Sequence, residues 1–341
     1  MPRNRYTSGP PSDHFDGQRF FNTAPQTRDK SLLDFLRWRR TSRRRVWPAQ
    51  APVVRVTPER RSTATRITVV GHATVLIQTC GLNLITDPFW SEKASPIAIL
   101  GPKRVCVPAI AFHDLPPIDA ILLSHNHYDH LDMATLARLV ERDAPLIVTP
   151  LGNDTIVRRA IPAARIVSGD WWDSHRLDDI QITLVPAQHW SARSLFDRRM
   201  ALWSGFTIRA GGDLVYFSGD TGYGDGSLFK AIRQRVGEPS VALLPIGAFA
   251  PRWFMADQHI DPEGAVMICR DLEARHAIGI HWGVIPLSDE GRDEPRDALV
   301  DALAKYQIAP ECFVAAEPGY VWELTSPTRP DPGLVAITQK G

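Results

Sequence analysis

The stretch Ser124-His125-Asn126-His127-Tyr128-Asp129-His130 follows the apolar run Ala120-Ile121-Leu122-Leu123, and its reading decides how the rest of the chain is understood. A β-branched and leucine-rich run of this length predicts a buried strand. The polar side chains therefore emerge together from its C-terminal end onto a tight turn. Four potential metal ligands, His125, His127, Asp129 and His130, fall within six residues. Imidazole and carboxylate suit zinc and similar borderline ions, and a turn lets alternate side chains address two neighbouring ions. The pattern H-x-H-x-D-H thus points to a binuclear centre. The competing reading is a surface loop rich in histidine by accident, and the spacing is too particular to favour it.

Further ligands are expected just past the ends of other strands. His189 follows Ile182-Thr183-Leu184-Val185-Pro186-Ala187-Gln188, Asp220 follows Val215-Tyr216-Phe217-Ser218-Gly219, and His281 follows Ala277-Ile278-Gly279-Ile280. Each of these segments ends in one good ligand. His72, in Gly71-His72-Ala73-Thr74, is a lone histidine beside a strand and reads by default as structural. Asp87 closes a strand before Pro88; it can orient a metal-binding histidine or cap a turn, and the first role is preferred.

The chain has 341 residues, enough for one large α/β domain with an appended arm or for two average domains. Hydrophobic residues make up 44% and charged residues 23%, as in ordinary globular proteins. A net charge of +1 offers no electrostatic argument for nucleic acid, and none is expected as a partner. Cys80, Cys106, Cys269 and Cys312 form no C-x-x-C pair, so they read as small buried residues in a reducing compartment. No signal-like core and no run of about eighteen apolar residues is present. The expected location is cytoplasmic, with peripheral membrane contact as an option. Nothing in the pattern specifies an oligomeric state.

Three regions are expected: an N-terminal arm over 1–65, one main domain over 66–325 and a tail over 326–341. Phe15, Phe20 and Phe21 read as isolated anchors of an extended arm. Leu32 to Trp38 has a helical pattern and is followed by Arg39, Arg40, Arg43, Arg44 and Arg45, then Trp47-Pro48. Arginine meets lipid phosphates and indole sits at the interface, so Arg37–Trp47 suits an anionic lipid surface. A solvated charged face is the equally plain alternative. From Arg66, strands are expected at 67–70, 74–78, 82–86, 146–149, 180–185, 205–209, 214–218, 241–244 and 277–280. Helices are expected after the Asp132 cap, at about 226–236, at 262–274 behind Asp261-Pro262, and at 295–306. The proline-punctuated apolar segment 88–117 is long enough to be functional and can line a pocket for a greasy substrate. Tyr128 and Tyr223 flank ligands, and Trp253 and Phe254 are apolar enough to line a channel or to belong to the core.

Together, Ser124 to His130, Gln188-His189-Trp190, Gly219-Asp220-Thr221-Gly222-Tyr223 and Ile280-His281-Trp282-Gly283 resemble the metallo-β-lactamase fold superfamily. Gly71-His72-Ala73-Thr74, Gly101-Pro102-Lys103-Arg104, Trp171-Trp172, Pro251-Arg252-Trp253-Phe254-Met255 and Gln258-His259 resemble one branch of it. That branch is the N-acylphosphatidylethanolamine-hydrolysing phospholipase D family, and the match runs from about Arg66 to Glu323. The resemblance implies an α/β four-layer αβ/βα sandwich, two mixed β-sheets flanked by helices. It implies two zinc ions per chain, His125, His127 and His189 on one and Asp129, His130 and His281 on the other, bridged by Asp220. Iron is the main competitor and manganese stands behind it; His127 at the second motif position, in place of a carboxylate, favours zinc.

The activity implied is a phospholipase D type phosphodiesterase that cleaves N-acylphosphatidylethanolamine-like lipids to N-acylethanolamine and phosphatidic acid through a metal-bridging hydroxide. His259 lies in a word that the family places near its active site, for substrate positioning or proton transfer, with Asp129 or a metal-bound water as alternative acids. Fold does not fix substrate. A lactonase or a phosphodiesterase of a soluble metabolite on the same scaffold is therefore the second reading. A non-catalytic membrane- or partner-binding module is the third, and the intact ligand set argues against it.

Overall fold

The computed structural model describes residues 4–23, 30–96 and 100–324. Ile97 and Ile99 of the apolar segment and the expected tail over 326–341 lie outside the described residues. The N-terminal region carries the helix α1 (Leu32–Thr41), started by a Ser31 and Asp34 capping box. The alternating apolar segments then become β1 (Arg66–Gly71), β2 (Thr74–Thr79), β3 (Leu82–Thr86), β4 (Ala120–Leu122), β5 (Leu146–Pro150), β6 (Arg165–Gly169) and β7 (Ser174–Leu177). They continue with β8 (Ile180–Val185), β9 (Gly205–Ala210), β10 (Asp213–Phe217), β11 (Val241–Pro245), β12 (His276–Ile280), β13 (Phe313–Ala315) and β14 (Val321–Glu323). Between them lie α2 (Met133–Asp143), α3 (Asn153–Ala160), α4 (Ser227–Val236), α5 (Arg252–Met255), α6 (Pro262–Asp271) and α7 (Glu294–Tyr306).

The strands form two seven-stranded sheets, ordered β14-β1-β2-β3-β4-β5-β6 and β13-β12-β11-β10-β9-β8-β7. Each sheet is mixed. In the first, β14 to β3 pair antiparallel and β3 to β6 parallel. In the second, β7 to β10 pair antiparallel and β10 to β13 parallel. The architecture is a four-layer αβ/βα sandwich.

Alternation within the strands explains the layering. Ile67, Val69, Leu84 and Leu122 of the first sheet face Ile182, Leu184, Phe206 and Val215 of the second in one dry interior. The opposite faces are covered by α2 and α3 on one side and by α4, α6 and α7 on the other. Each such side chain, fully buried, stabilises the fold by roughly 1.5–3 kcal/mol relative to exposure.

Several expectations are corrected. Phe89, Val105 and Cys106 of the 88–117 segment are buried, and Phe89 and Cys106 pack with Val284 and Ile285, so these residues fill the interior instead of lining a pocket. Cys80 is exposed at a turn, while Cys106 and Cys269 are buried and all four thiols are free. Five elements carry weak sequence signals: β6, the polar β7, the short β13 and β14, and α3. β14 is held by long-range pairing, with Ile67 opposite Trp322 and Arg66 opposite Glu323, which local periodicity does not reveal. Near the N-terminus, Phe15 and Phe20 are buried beside Trp171 and Trp203, and Phe21 is only half-buried. Among the described residues no helix is long and apolar enough to cross a membrane.

Candidate metal centre

The C-terminal ends of β1, β3 and β4 in one sheet and of β8, β10 and β12 in the other lie along one rim of the sandwich. Each delivers a polar side chain there. The turn after β4 is fixed on both flanks: Arg193 Nη1 donates to the carbonyls of Asn126 and Leu131, each at 2.9 Å. The sheets are stitched at the same place, because the Ser204 amide donates to Ser124 O at 3.0 Å and the His281 amide to His72 O at 2.9 Å. Gly219, with φ +58°, allows this approach; a Cβ there would stand 2.8 Å from Ser124 Cβ. Three non-glycine residues at the rim, His72, Asp87 and His281, also have positive φ, at 52°, 33° and 61°. Strained backbone of this kind concentrates at functional sites.

Besides the set Asp87, His125 and His130, two four-residue groups of possible ligands result, His125, His127, His189 and Asp220, and His72, Asp129, His130 and His281; within each, one ligand atom per residue lies within 4.8 Å of the others. Asp220 stands between them. Its Oδ2 is 3.9 Å from His125 Nε2, 3.7 Å from His189 Nε2 and 3.2 Å from His130 Nε2. Its Oδ1 is 3.3 Å from His281 Nε2. Asp129 Oδ2 lies 3.0 Å from His72 Nε2, 3.4 Å from His281 Nε2 and 3.5 Å from His130 Nε2.

The hydrogen bonds behind the rings set the tautomers. His189 Nδ1 donates to the Gln258 carbonyl at 3.0 Å. His125 Nδ1 donates to Ser124 Oγ at 2.9 Å, which in turn donates to Asp87 Oδ2 at 2.6 Å. His130 Nδ1 donates to the same Asp87 oxygen at 2.7 Å. Asp87 therefore orients histidines from beneath, as expected of an outer partner at a metal site.

These bonds leave lone pairs facing inward, and that is a test of whether the residues fit a cation. His125 Nε2 and His189 Nε2 both approach His127 Nδ1, at 3.0 Å and 3.2 Å. One proton on His127 can satisfy only one of them. His127 Nε2, His130 Nε2, Asp220 Oδ1 and both nitrogens of His281 are buried without a hydrogen-bond partner. Buried polar atoms left unpaired in such a cage are costly unless something joins them. The donor set fits a metal.

Electrostatics agree. Burial lowers His127 to about 4 and His72 to about 3, and holds His125 and His189 well below the ordinary range. These imidazoles are neutral at pH 7 and able to coordinate. Burial opposes ionisation of Asp220 and Asp129, yet the surrounding histidines hold both carboxyls well below the usual carboxylate range. Burial also opposes charge on His130, but Asp220, Asp129 and Asp87 outweigh it and hold that imidazole well above its ordinary value. The three carboxylates thus favour the charged form of His130, a role that a bound cation would take over.

All seven residues expected from the strand ends come together, and His259 joins them. Its Nδ1, buried and unpartnered, is 3.8 Å from Asp220 Oδ2, and burial lowers the ring to about 4. His72, read from sequence as structural, lies beside the second group, with its Nε2 3.0 Å from Asp129 Oδ2. The tight β1–β2 turn carries it to the rim, and the His281–His72 backbone bond is a contact between sheets. Positive φ at a histidine is the signal, and it exists only in the structure. Tyr128 donates to Arg193 O at 2.6 Å, bracing the loop after His189. Tyr223 turns away to Asp271 at 2.7 Å.

Comparison with known proteins agrees with this geometry. Residues 82–282 match the family described as the beta-lactamase superfamily domain. An N-acyl-phosphatidylethanolamine-hydrolyzing phospholipase D 1 from Caenorhabditis elegans is 36% identical over 269 residues, 76% of this chain and 75% of that protein. A metal-dependent hydrolase from Herpetosiphon aurantiacus is 30% identical over 264 residues, 76% of this chain and 97% of that protein. Among solved structures, a metallo hydrolase from Ignicoccus hospitalis superposes with TM-score 0.57 at 20% identity, covering 77% of this chain and all of that one. Two mixed seven-stranded sheets, a rim of histidine and aspartate clusters and these relatives together identify the chain as a metal-dependent hydrolase of the metallo-β-lactamase superfamily, akin to the N-acyl-phosphatidylethanolamine-hydrolyzing phospholipases D.

Proposed function

We propose that the protein is a binuclear zinc phosphodiesterase of phospholipase D type, acting on N-acylphosphatidylethanolamine-like lipids. The observation that carries this reading is the pair of ligand groups with Asp220 between them. Kinship with lipid-hydrolysing relatives supplies the substrate class. His125, His127 and His189 would hold one ion, and Asp129, His130 and His281 the other, with Asp220 shared. Bound zinc supplies Lewis acidity for the phosphate oxygens and a water nucleophile at neutral pH.

The chain's own side chains do the rest. Asp129 and Asp220 stay ionised and fix the imidazoles around them. Asp87, through Ser124 and His130, prevents those rings from turning. His259 is neutral, has a free Nδ1 and is assigned to the substrate. Hydrolysis adds water oxygen to phosphorus and breaks the bond from phosphorus to the N-acylethanolamine oxygen. The water's protons end on the departing alcohol and the new phosphate, and His259 would pass one of them. Residues 66–325 form the catalytic unit in this reading, and 1–65 an arm upon it. Free thiols suit a reducing compartment, and the cytoplasm is the location assigned.

The test is product analysis by mass spectrometry after zinc-loaded protein meets a panel of N-acylated phosphatidylethanolamine, ordinary phospholipids and lactones. N-acylethanolamine and phosphatidic acid in equal amounts are expected. Lactone opening with every phospholipid left intact would overturn the reading.

A further inference from the structure

Helix α1 presents apolar side chains to solvent in a way that the fold does not require. Leu32, Leu33, Phe35 and Leu36 are 74%, 77%, 43% and 53% exposed, and only Trp38 of this helix is buried. At about 100° per residue these four occupy one side of the first two turns. Arg39 and Arg40 continue that side with positive charge. Together with Arg43 they are exposed and have no acidic partner among the described residues, whereas Arg44 and Arg45 reach Asp289 and Glu294.

Neighbouring segments extend the same character towards the metal centre. Trp253 of α5 is 42% exposed and lies beneath Arg37, at 5.1 Å. Leu195 and Phe196, 94% and 73% exposed, sit on the loop that begins at His189. That loop is tied to the start of α1 by Arg198 Nη1 donating to Lys30 O at 3.0 Å. Behind the exposed face the helix is anchored: Trp38 stacks on Phe254 at 4.8 Å and donates from Nε1 to Asp289 at 3.1 Å. Phe254 in turn lies in the α5 segment whose Met255 carbonyl accepts from the His259 amide at 2.9 Å. The exposed apolar residues thus stand on the segments that lead into His189 and His259.

We propose that α1, Trp253 and the Leu195–Phe196 tip form one docking face for an anionic phospholipid bilayer, carried on the segments that lead into His189 and His259. Apolar side chains in the leading turns followed by unpaired guanidinium groups complement a membrane, where acyl chains lie beneath negative headgroups. The proposal rests on the lipid-hydrolase reading for its purpose, but its test does not use that substrate.

Zinc-loaded full-length protein is sedimented with vesicles of phosphatidylcholine alone and of phosphatidylcholine with phosphatidylglycerol. Strong, salt-sensitive binding to the second kind is expected. Leu33→Glu or Phe196→Glu should each weaken it by about tenfold. Arg39→Gln with Arg40→Gln should weaken it by about fivefold per arginine and flatten the salt dependence. Metal content and circular dichroism of the variants should be unchanged. Wild-type protein left in the supernatant, variants that sediment as well as wild type, or a dimer that Leu33→Glu converts to monomer would overturn the proposal. Vesicle binding without any phospholipid turnover would leave docking standing and remove only the substrate reading.

Discussion

The two ligand groups sit side by side yet are built differently. In the first, His125 and His127 come from one turn and meet His189 and Asp220 from the other sheet, and the three histidines are neutral through burial. In the second, His72, Asp129 and His130 come from the first sheet and only His281 crosses from the other. This group is set on left-handed backbone at His72 and His281, and its carboxylates favour the protonated form of His130. The first group is therefore ready for a cation, while the second is held in place by strain and carboxylates and must give up a proton to receive one. One carboxylate, Asp220, couples the two.

The comparison can be broken most severely at that shared residue. Asp220→Ala should remove both ions and bring hydrolysis to background, measured by metal analysis and turnover together. Loss of a single ion would show that the groups are independent. Next, His189→Ala and His281→Ala should each deplete one group, leaving close to one ion per chain, with competitive chelator titration showing which affinity has fallen. A smaller effect is expected at Asp87→Asn, which keeps the shape but loses the charge behind His130. Affinity at the second group should drop by about 10–100-fold, as for other outer partners of metal histidines. The smallest effect is in protons. His130 is held above its ordinary value and so is protonated at pH 7, so filling the second group should release about one proton and weaken as pH falls, while the first group releases none. Calorimetry in buffers of different ionisation enthalpy reads this directly.

Local chemistry made the first group legible in sequence. Two of its histidines are two residues apart, and His189 and Asp220 each end a strongly apolar strand. His281 and the Asp129-His130 pair were legible for the same reason. The place of His72 beside them was not, because nothing in Gly71-His72-Ala73-Thr74 sets it apart from any packed histidine until the His281 amide hydrogen-bonds to its carbonyl across the sheets. The fold shows the same division. Central strands such as β5, β8 and β11 announce themselves by burial on both faces. β7, with an exposed and half-buried pattern, and the three-residue β13 and β14 exist because a neighbour offers its edge. The segment 88–117 misled because apolar content does not say which side faces inward. For α1 the helix was evident, but not that its leucines would face solvent.

The most direct measurement is metal content by plasma mass spectrometry on wild-type protein purified with zinc and exhaustively dialysed. Two zinc ions per chain are expected, with full hydrolytic activity only when both are present. One ion per chain in a fully active enzyme would contradict the paired centre.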